Sequence, residues 1–363
     1  CRIHGALHER IKRIMAYTAI NKYTDYFKTK LYTGTGSNGN AITGVGFQPD
    51  FLWIKDTVNV YSHRFYDAIR GVNSALNSDN TAAASQYSQY GQLTSFDSDG
   101  FTVGQGSSNG AAMNDANDEH CSWNWKANGT GSSNSDGSVT STVSASTAGG
   151  FSIVTWTGTG ATATIGHGLG VKPEMIWIKN RGATENWIVY HAGIGSGNNL
   201  KLNLADAQQD TTGAFNDTDP TTSVFTVHTN TNANQSGQPM VAYCFASKKG
   251  YSKVGTYIGS GETDGPFVYT GFAPQFVLFK RSTGSAGDWQ LWDRTRDPFN
   301  PTEKAIHPNA AGGASTDQDI DMLSNGFKIR SNQGHLNNST TSFPYLAIGQ
   351  TMVGTNDTPV VAR

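Results

Sequence analysis

Charge, cysteine and long apolar runs are the three things this sequence lacks. Asp, Glu, Lys and Arg make up only 15% of the 363 residues, too few to solvate long surface helices. The 26 basic and 28 acidic residues leave a net charge of −2 and form no run of one sign. A nucleic-acid partner and an anionic membrane surface are therefore not expected. The three cysteines, Cys1, Cys121 and Cys244, are odd in number and far apart, so they spell neither a disulfide framework nor a CxxC knuckle. Small buried thiols are the expectation. No stretch approaches the roughly 20 apolar residues that span a bilayer, so no membrane insertion is expected. The opening CRIHGALHERIKRI has no apolar core of secretory length. Residues 1–26 read as an N-terminal extension. Within it, 1–14 are basic, with Leu7, Ile11 and Ile14 at helical spacing, and the composition changes at Met15. They read as lying upstream of the biological start, with a short docking helix as the alternative.

What the chain does have is glycine, at 42 residues, and aromatics, at 11%. That is too aromatic for disorder and suits short strands joined by many turns. It also repeats itself. YTGTG (32–36) precedes GVGFQPDFLWIK (44–55), WTGTG (156–160) precedes GLGVKPEMIWIK (168–179), and YIGSG (257–261) precedes TGFAPQFVLFK (270–280). In all three, 17 residues separate the aromatic from the proline and 6 the proline from the lysine. His63, Trp187 and Trp289 follow those lysines by 8, 8 and 9 residues. Next come Tyr66, Tyr190 and Trp292, then Asp67, His191 and Asp293. Phe101, Phe225 and Phe327 align, and each copy closes on CSWNWK (121–126), VAYCFA (241–246) or PYLAIG (344–349). Matching the tyrosines gives 18 residues from Phe225 to Tyr243 and from Phe327 to Tyr345, against 22 from Phe101 to Trp123.

The copies run over 27–126, 151–247 and 251–350, leaving 351–363 as a tail. Segment 127–150 reads as a Gly/Ser-rich linker whose SVTSTVSAS centre adds a strand to the second copy. FLWI, MIWI, FVLF and WIVY are short, β-rich and bounded by Gly, Pro and Asn, and no core segment holds a 3.6-residue period. The fold class expected is all-β: three tandem β-sandwich domains, jelly-roll or lectin-like. Single helical turns are expected within 77–90 and over Leu202–Gln209.

Candidate chemistry is thin. GTGSNG (34–39) fits a phosphate loop, but it opens a β repeat and its counterparts lose the third glycine. Asp97/Asp99, Asp115/Asp118/Glu119 and Asp317/Asp319/Asp321 do not recur across copies. The last trio alternates along one strand face, which suits Ca²⁺ ligation or simply an exposed acidic loop. The recurrent polar residues are Lys55, Lys179 and Lys280, with Asp67/Arg70 and Asp293/Arg296. They read either as the charged rim of an aromatic glycan site or as structural ion pairs and snorkelling stems. No catalytic, cofactor-binding or metal residue is assigned, no cofactor is expected, the binding residues stay open, and the chain does not read as an enzyme.

FKTKLYTGTG, GVGFQPDFLWIK, SFDSDGFTVG, WNWKANGTGSSNSDGS, FSIVTWTGTG with GHGLGVKP, GYSKVGTYIGSG with GPFVYTGF, and the terminal VVAR together resemble virion structural proteins, tail or tail-fibre-like, of marine bacteriophages. The resemblance runs from Met15 to Arg363. It implies a fibre, tail or surface-decoration component of an extracellular particle. Its partners would be itself as a homo-oligomer such as a trimer, other virion proteins, and host-surface glycans. A stand-alone carbohydrate-binding adhesin and a polysaccharide depolymerase are the competing readings.

Overall fold

The computed structural model describes residues 17–109, 112–210, 212–316 and 319–354. The expectations for residues 1–14, for Asp317 and for the terminal VVAR lie outside these. The protein is all-β, built of several antiparallel sheets; the helices among the described residues are the 3-10 turn Tyr23–Asp25 and the one-turn Thr212–Phe215, Thr231–Asn234 and Gly334–Asn337. Among the described residues no helix is long and apolar enough to cross a membrane.

One strand order occurs three times. In the first repeat Phe27–Thr33, Glu119–Trp125, Phe51–Asp56 and Arg64–Asp67 lie side by side in that order. The second repeat places Phe151–Thr157, Pro239–Phe245, Met175–Asn180 and Ile188–His191 in the same way, and the third Ser252–Ile258, Ser342–Thr351, Phe272–Phe279 and Gln290–Asp293. A smaller sheet lies on one face of each. There Ile42 pairs with Phe101, Ile165 with Phe225 and Val268 with Phe327.

Each four-stranded sheet is buried on both faces. Leu52, Ile54 and Tyr66 turn to the first repeat's own core with Ile42 and Phe101. Ile176, Ile178 and Tyr190 do so in the second, and Val277, Phe279 and Trp292 in the third. The alternate residues turn the other way into one common core. Phe51, Trp53 and Phe65 meet Met175, Trp177 and Trp187, and Phe276, Leu278 and Trp289 there. Ring centroids of Phe51 and Tyr243 lie 4.3 Å apart, those of Phe65 and Trp187 5.5 Å, and those of Phe27 and Phe276 5.3 Å. Such pairs add about 0.5–1.5 kcal/mol each beyond area burial. Self-contained sandwiches strung in a row are therefore not what the chain builds: the three sheets share their largest core.

Three further expectations are corrected. First, the segments 77–90 and Leu202–Gln209 form no helix, only isolated turns at residues 88–89 and 202–203. They are extended arms beginning at the bridges Phe65–Leu76 and Val189–Leu200, with a third at Leu291–Ile306. Second, the SVTSTVSAS centre of segment 127–150 adds its expected strand, Ser141–Ser146, to the second repeat, but the Gly/Ser-rich start is no open tether, because Ser132–Asn134 pairs with that strand and brings the sheet to six. Third, the closing strand of the third repeat aligns one residue further on than its tyrosine implies. Leu346 faces Leu278 as Tyr243 faces Trp177 and Trp123 faces Trp53. A one-residue slip turns a side chain to the other face, so Tyr345 packs in the third repeat's own core and Leu346 in the common one. The third repeat's strand also takes in Pro274, at a bulge where the register shifts between Pro274 and Phe276. A residue without an N–H is tolerated there.

Candidate functional site

The recurrent polar residues are not a ligand rim. They join one repeat to the next, and the joins close a ring. Trp187 Nε1 of the second repeat donates to Asn77 O of the first at 2.8 Å. Trp289 Nε1 of the third donates to Lys201 O of the second at 2.9 Å. His63 holds the same position in the first repeat. Its Nδ1 accepts from Trp53 Nε1 at 2.8 Å, which leaves Nε2 to donate to His307 O of the third repeat at 3.1 Å. The arms are pinned in the same sense. Ala84 N donates to Arg181 O at 2.9 Å, Gln208 N to Ser282 O at 2.8 Å, and Ala314 N to Thr57 O at 3.3 Å.

The three lysines sit beside these joins, each buried. Lys179 Nζ donates to Thr81 O (3.0 Å) and Glu185 O (2.7 Å), and Lys280 Nζ to Ala205 O (2.7 Å) and Gly287 O (2.5 Å). Lys55 Nζ stays within its repeat, on Asp56 O (2.6 Å) and Asn59 O (3.3 Å). Burial lowers all three amines to about 8. From pH 8 upward the unfolded chain holds the lysine protons that the folded chain has shed. Stability should therefore rise with pH, by up to about 1.4 kcal/mol per pH unit for each lysine. The buried thiols of Cys121 and Cys244 and the buried phenols such as Tyr66, all pushed up by burial, oppose this from about pH 9 onward. Urea midpoints should climb from pH 8 to about 9 and then turn down. A flat or falling profile from pH 8 to 9 would refute this assignment.

The carboxylates close a second ring. Asp67 Oδ2 accepts from Arg70 Nε at 2.5 Å and from Tyr243 Oη of the second repeat at 2.8 Å. His191 Nε2 of the second repeat donates to Tyr345 O of the third at 3.2 Å, and burial lowers this imidazole to about 4. Asp293 Oδ2 of the third accepts from Arg296 Nε at 2.6 Å and from Trp123 Nε1 of the first at 3.1 Å. Nothing reaches these groups from solvent, so a glycan rim at Lys55, Lys179, Lys280, Asp67 or Asp293 is excluded by their burial.

Sequence reasoning missed Asn114, Asn234 and Asn337. Each is fully buried, and its Oδ1 accepts from the backbone of the TGTG motif: Thr35 N at 2.9 Å, Thr159 N at 3.0 Å and Ser260 N at 2.7 Å. Their Nδ2 groups donate to Ser37 O, Ala161 O and Glu262 O at 2.6–2.7 Å. The signal was present: each asparagine stands nine residues before Trp123, Tyr243 or Leu346. The motif's glycines follow from this. A Cβ on Gly34 would lie 1.9 Å from Asp115 O, and Gly36 has φ 63°. GTGSNG is thus a stapled turn, not a phosphate cradle.

The described residues of the acidic clusters have partners of their own. Asp99 accepts from Gly44 N (3.0 Å) and Gly46 N (2.6 Å), which hold its carboxyl below the usual range. Asp97 accepts from Thr102 Oγ1, Asp118 from Asn59 Nδ2, and Asp321 pairs with Arg330 at 3.5 Å. Among the described residues no group of three or more His, Cys, Asp or Glu is placed to hold a metal.

All eight tryptophans are buried, and the exposed aromatics among the described residues are Tyr90, Phe267, Tyr269 and Phe299, of which only Phe267 and Tyr269 share a strand. Phe267 and Tyr269 are 45% and 52% exposed and flank the buried Val268 on the short strand Phe267–Tyr269. Tyr17 extends the row, its Oη donating to Gly271 O at 2.6 Å and lying beside Tyr269. Lys249 Nζ stands 4.6 Å from the Tyr17 ring centre, and Lys253 Nζ donates to Tyr269 O at 2.7 Å. On the other side Asp264 binds Lys328 at 3.0 Å and Arg330 at 2.8 Å. This strip, on the outer sheet of the third repeat, is the candidate site.

No curated protein and no solved structure matches the chain. One family model does, running from residue 22 to 351 as a single unit across all three repeats, as a shared core requires. The chain belongs to that family, described as Domain of unknown function (DUF7483).

Proposed function

We propose that this protein is a virion structural component, a fibre, tail or surface-decoration protein of an extracellular particle, made of three jelly-roll or lectin-like sandwiches fused into one pseudo-threefold block. The observation that carries the reading is the closed ring: first to second, second to third and third to first repeat, through equivalent side chains. Such a block presents threefold geometry from a single polypeptide, which suits a position on a symmetric particle. A homotrimer is not needed to bury the inner sheet faces, because the second and third repeats act as the partner subunits. The resemblance to marine phage tail proteins points the same way. So does a surface low in charge, with its recurrent polar groups committed to holding the ring rather than to catalysis.

Attachment to host-surface glycans is the second part of the reading, favoured by the Phe267–Tyr269 strip. It keeps the adhesin alternative open, whereas a depolymerase would need a carboxylate pair across a groove. Peptide mass spectrometry of purified particles tests the first part. The chain should be present at a fixed copy number, and cryo-EM should place a three-lobed density of one chain on the surface. Particles that lack it would sink the proposal.

A further inference from the structure

The strip of the third repeat is where three equivalent backbones carry the most different chemistry. By register Val268 stands where Ile42 and Ile165 stand, each opposite the shared phenylalanine. Phe267 and Tyr269 therefore take the positions of Ala41 and Thr43 in the first repeat and of Thr164 and Gly166 in the second. The scaffold holds with small residues there, so it does not require two exposed rings. In the second repeat this face is covered by its own linker. Ser138 and Thr164 exchange hydrogen bonds at 2.8 and 2.9 Å, Val139 bridges to Ile165, and Asn134 lies where a Cβ on Gly166 would point.

We propose that the strip Phe267–Tyr269–Tyr17 binds an anionic polysaccharide; this deepens the adhesive part of the function proposed above. Two facts select that occupant. The exposed parts of Phe267 and Tyr269 amount to roughly 200 Å², taking about 150–250 Å² as the area each such side chain can bury. A stable protein partner would need about 800 Å² per side and so would reach well beyond the strip, whereas a few sugar rings cover it. A pyranose has an apolar face that covers an aromatic ring and a rim of hydroxyls that needs fixed polar partners. Those partners are in place: Lys249, Lys253, Lys328 and Arg330 surround the row, against Asp264, Asp319 and Asp321. The remaining excess of one positive charge, on a chain whose net charge is −2, matches carboxylated or sulfated sugars.

The test is calorimetric titration of the full chain with alginate, dextran sulfate and neutral dextran. Alginate, dextran sulfate or both should bind, more weakly as salt rises, and neutral dextran should not. Phe267→Ala/Tyr269→Ala keeps every charge, yet should weaken binding by about tenfold or more at an unchanged unfolding midpoint. Val60→Ser, an exposed apolar change in the first repeat, should bind as the unaltered chain does. Three results would overturn the proposal: no binding to either polyanion, equal binding of neutral dextran, or an unaffected double variant. Absence of the protein from virions would leave these titrations untouched, so the two readings fail separately.

Discussion

Asp67→Ala should lower the stability of the entire chain by about 3–5 kcal/mol, although it removes one small side chain. Asp67 is fully buried, and its carboxylate answers three donors, the Arg70 backbone N–H at 2.9 Å, the Arg70 guanidinium at 2.5 Å and the Tyr243 hydroxyl at 2.8 Å. Without it the guanidinium keeps its bonds to Ser74 O and Phe65 O, but its charge is left uncompensated where water cannot reach. The Tyr243 hydroxyl loses its acceptor at the seam between first and second repeats. An uncompensated buried charge, rather than the lost attraction, sets the size of the effect. Asp293→Ala removes the partner of Arg296 and of Trp123 Nε1 at the third-to-first seam and should cost a similar amount. The exposed pair Lys172–Asp219, with side chains 41% and 52% accessible, provides the contrast, and Lys172→Ala should cost less than about 1 kcal/mol. Denaturant midpoints of the three variants test the order. An Asp67→Ala protein as stable as Lys172→Ala would mean that the buried seam does not hold the ring.

Much of this was legible in the sequence, and what was not has physical reasons. The fixed spacing from aromatic to proline to lysine gave the repeat, and TGTG marked a turn that two glycines and a buried asparagine do build. The shared core also leaves a trace in the sequence. A sheet with one wet face alternates apolar and polar residues, whereas FLWI, MIWI and FVLF are continuous, as strands covered on both faces are. Phe51–Asp56 and Met175–Asn180 are indeed buried at every position. Pattern alone does not say what covers the second face. The arms carry no period at all, because their hold on the neighbouring repeat runs through backbone groups such as Ala84 N and Gln208 N, which any residue but proline supplies. The one-residue offset at Leu346 was hidden by Tyr345, a tyrosine that invites alignment but turns to the opposite face. The candidate strip was hidden for another reason: it lies at positions where the copies disagree, and a search for recurrence passes over them.

The second large effect concerns separation of the repeats. The third repeat, residues 251–354, should not fold as a monomer when produced alone. Its inner face carries Val254, Phe276, Leu278, Trp289, Leu291, Ile306, Leu346 and Ile348, all in the common core. At about 1.5–3 kcal/mol for each large apolar side chain that loses its burial, exposing them forfeits on the order of 12–24 kcal/mol. That exceeds the roughly 5–15 kcal/mol by which a domain is stable. The fragment also loses Lys201 O, the acceptor of Trp289 Nε1, and Ala205 O, one of the two acceptors of Lys280. It should appear as an insoluble or self-associated species, while the full chain unfolds in a single calorimetric transition, because no repeat retains a complete core once its neighbours have gone. Self-association into threes would be the fragment rebuilding the ring from identical parts. A monomeric, cooperatively melting fragment, or three separate transitions in the full chain, would return the molecule to three independent sandwiches. The ring would then be a contact between finished domains rather than the condition for their folding.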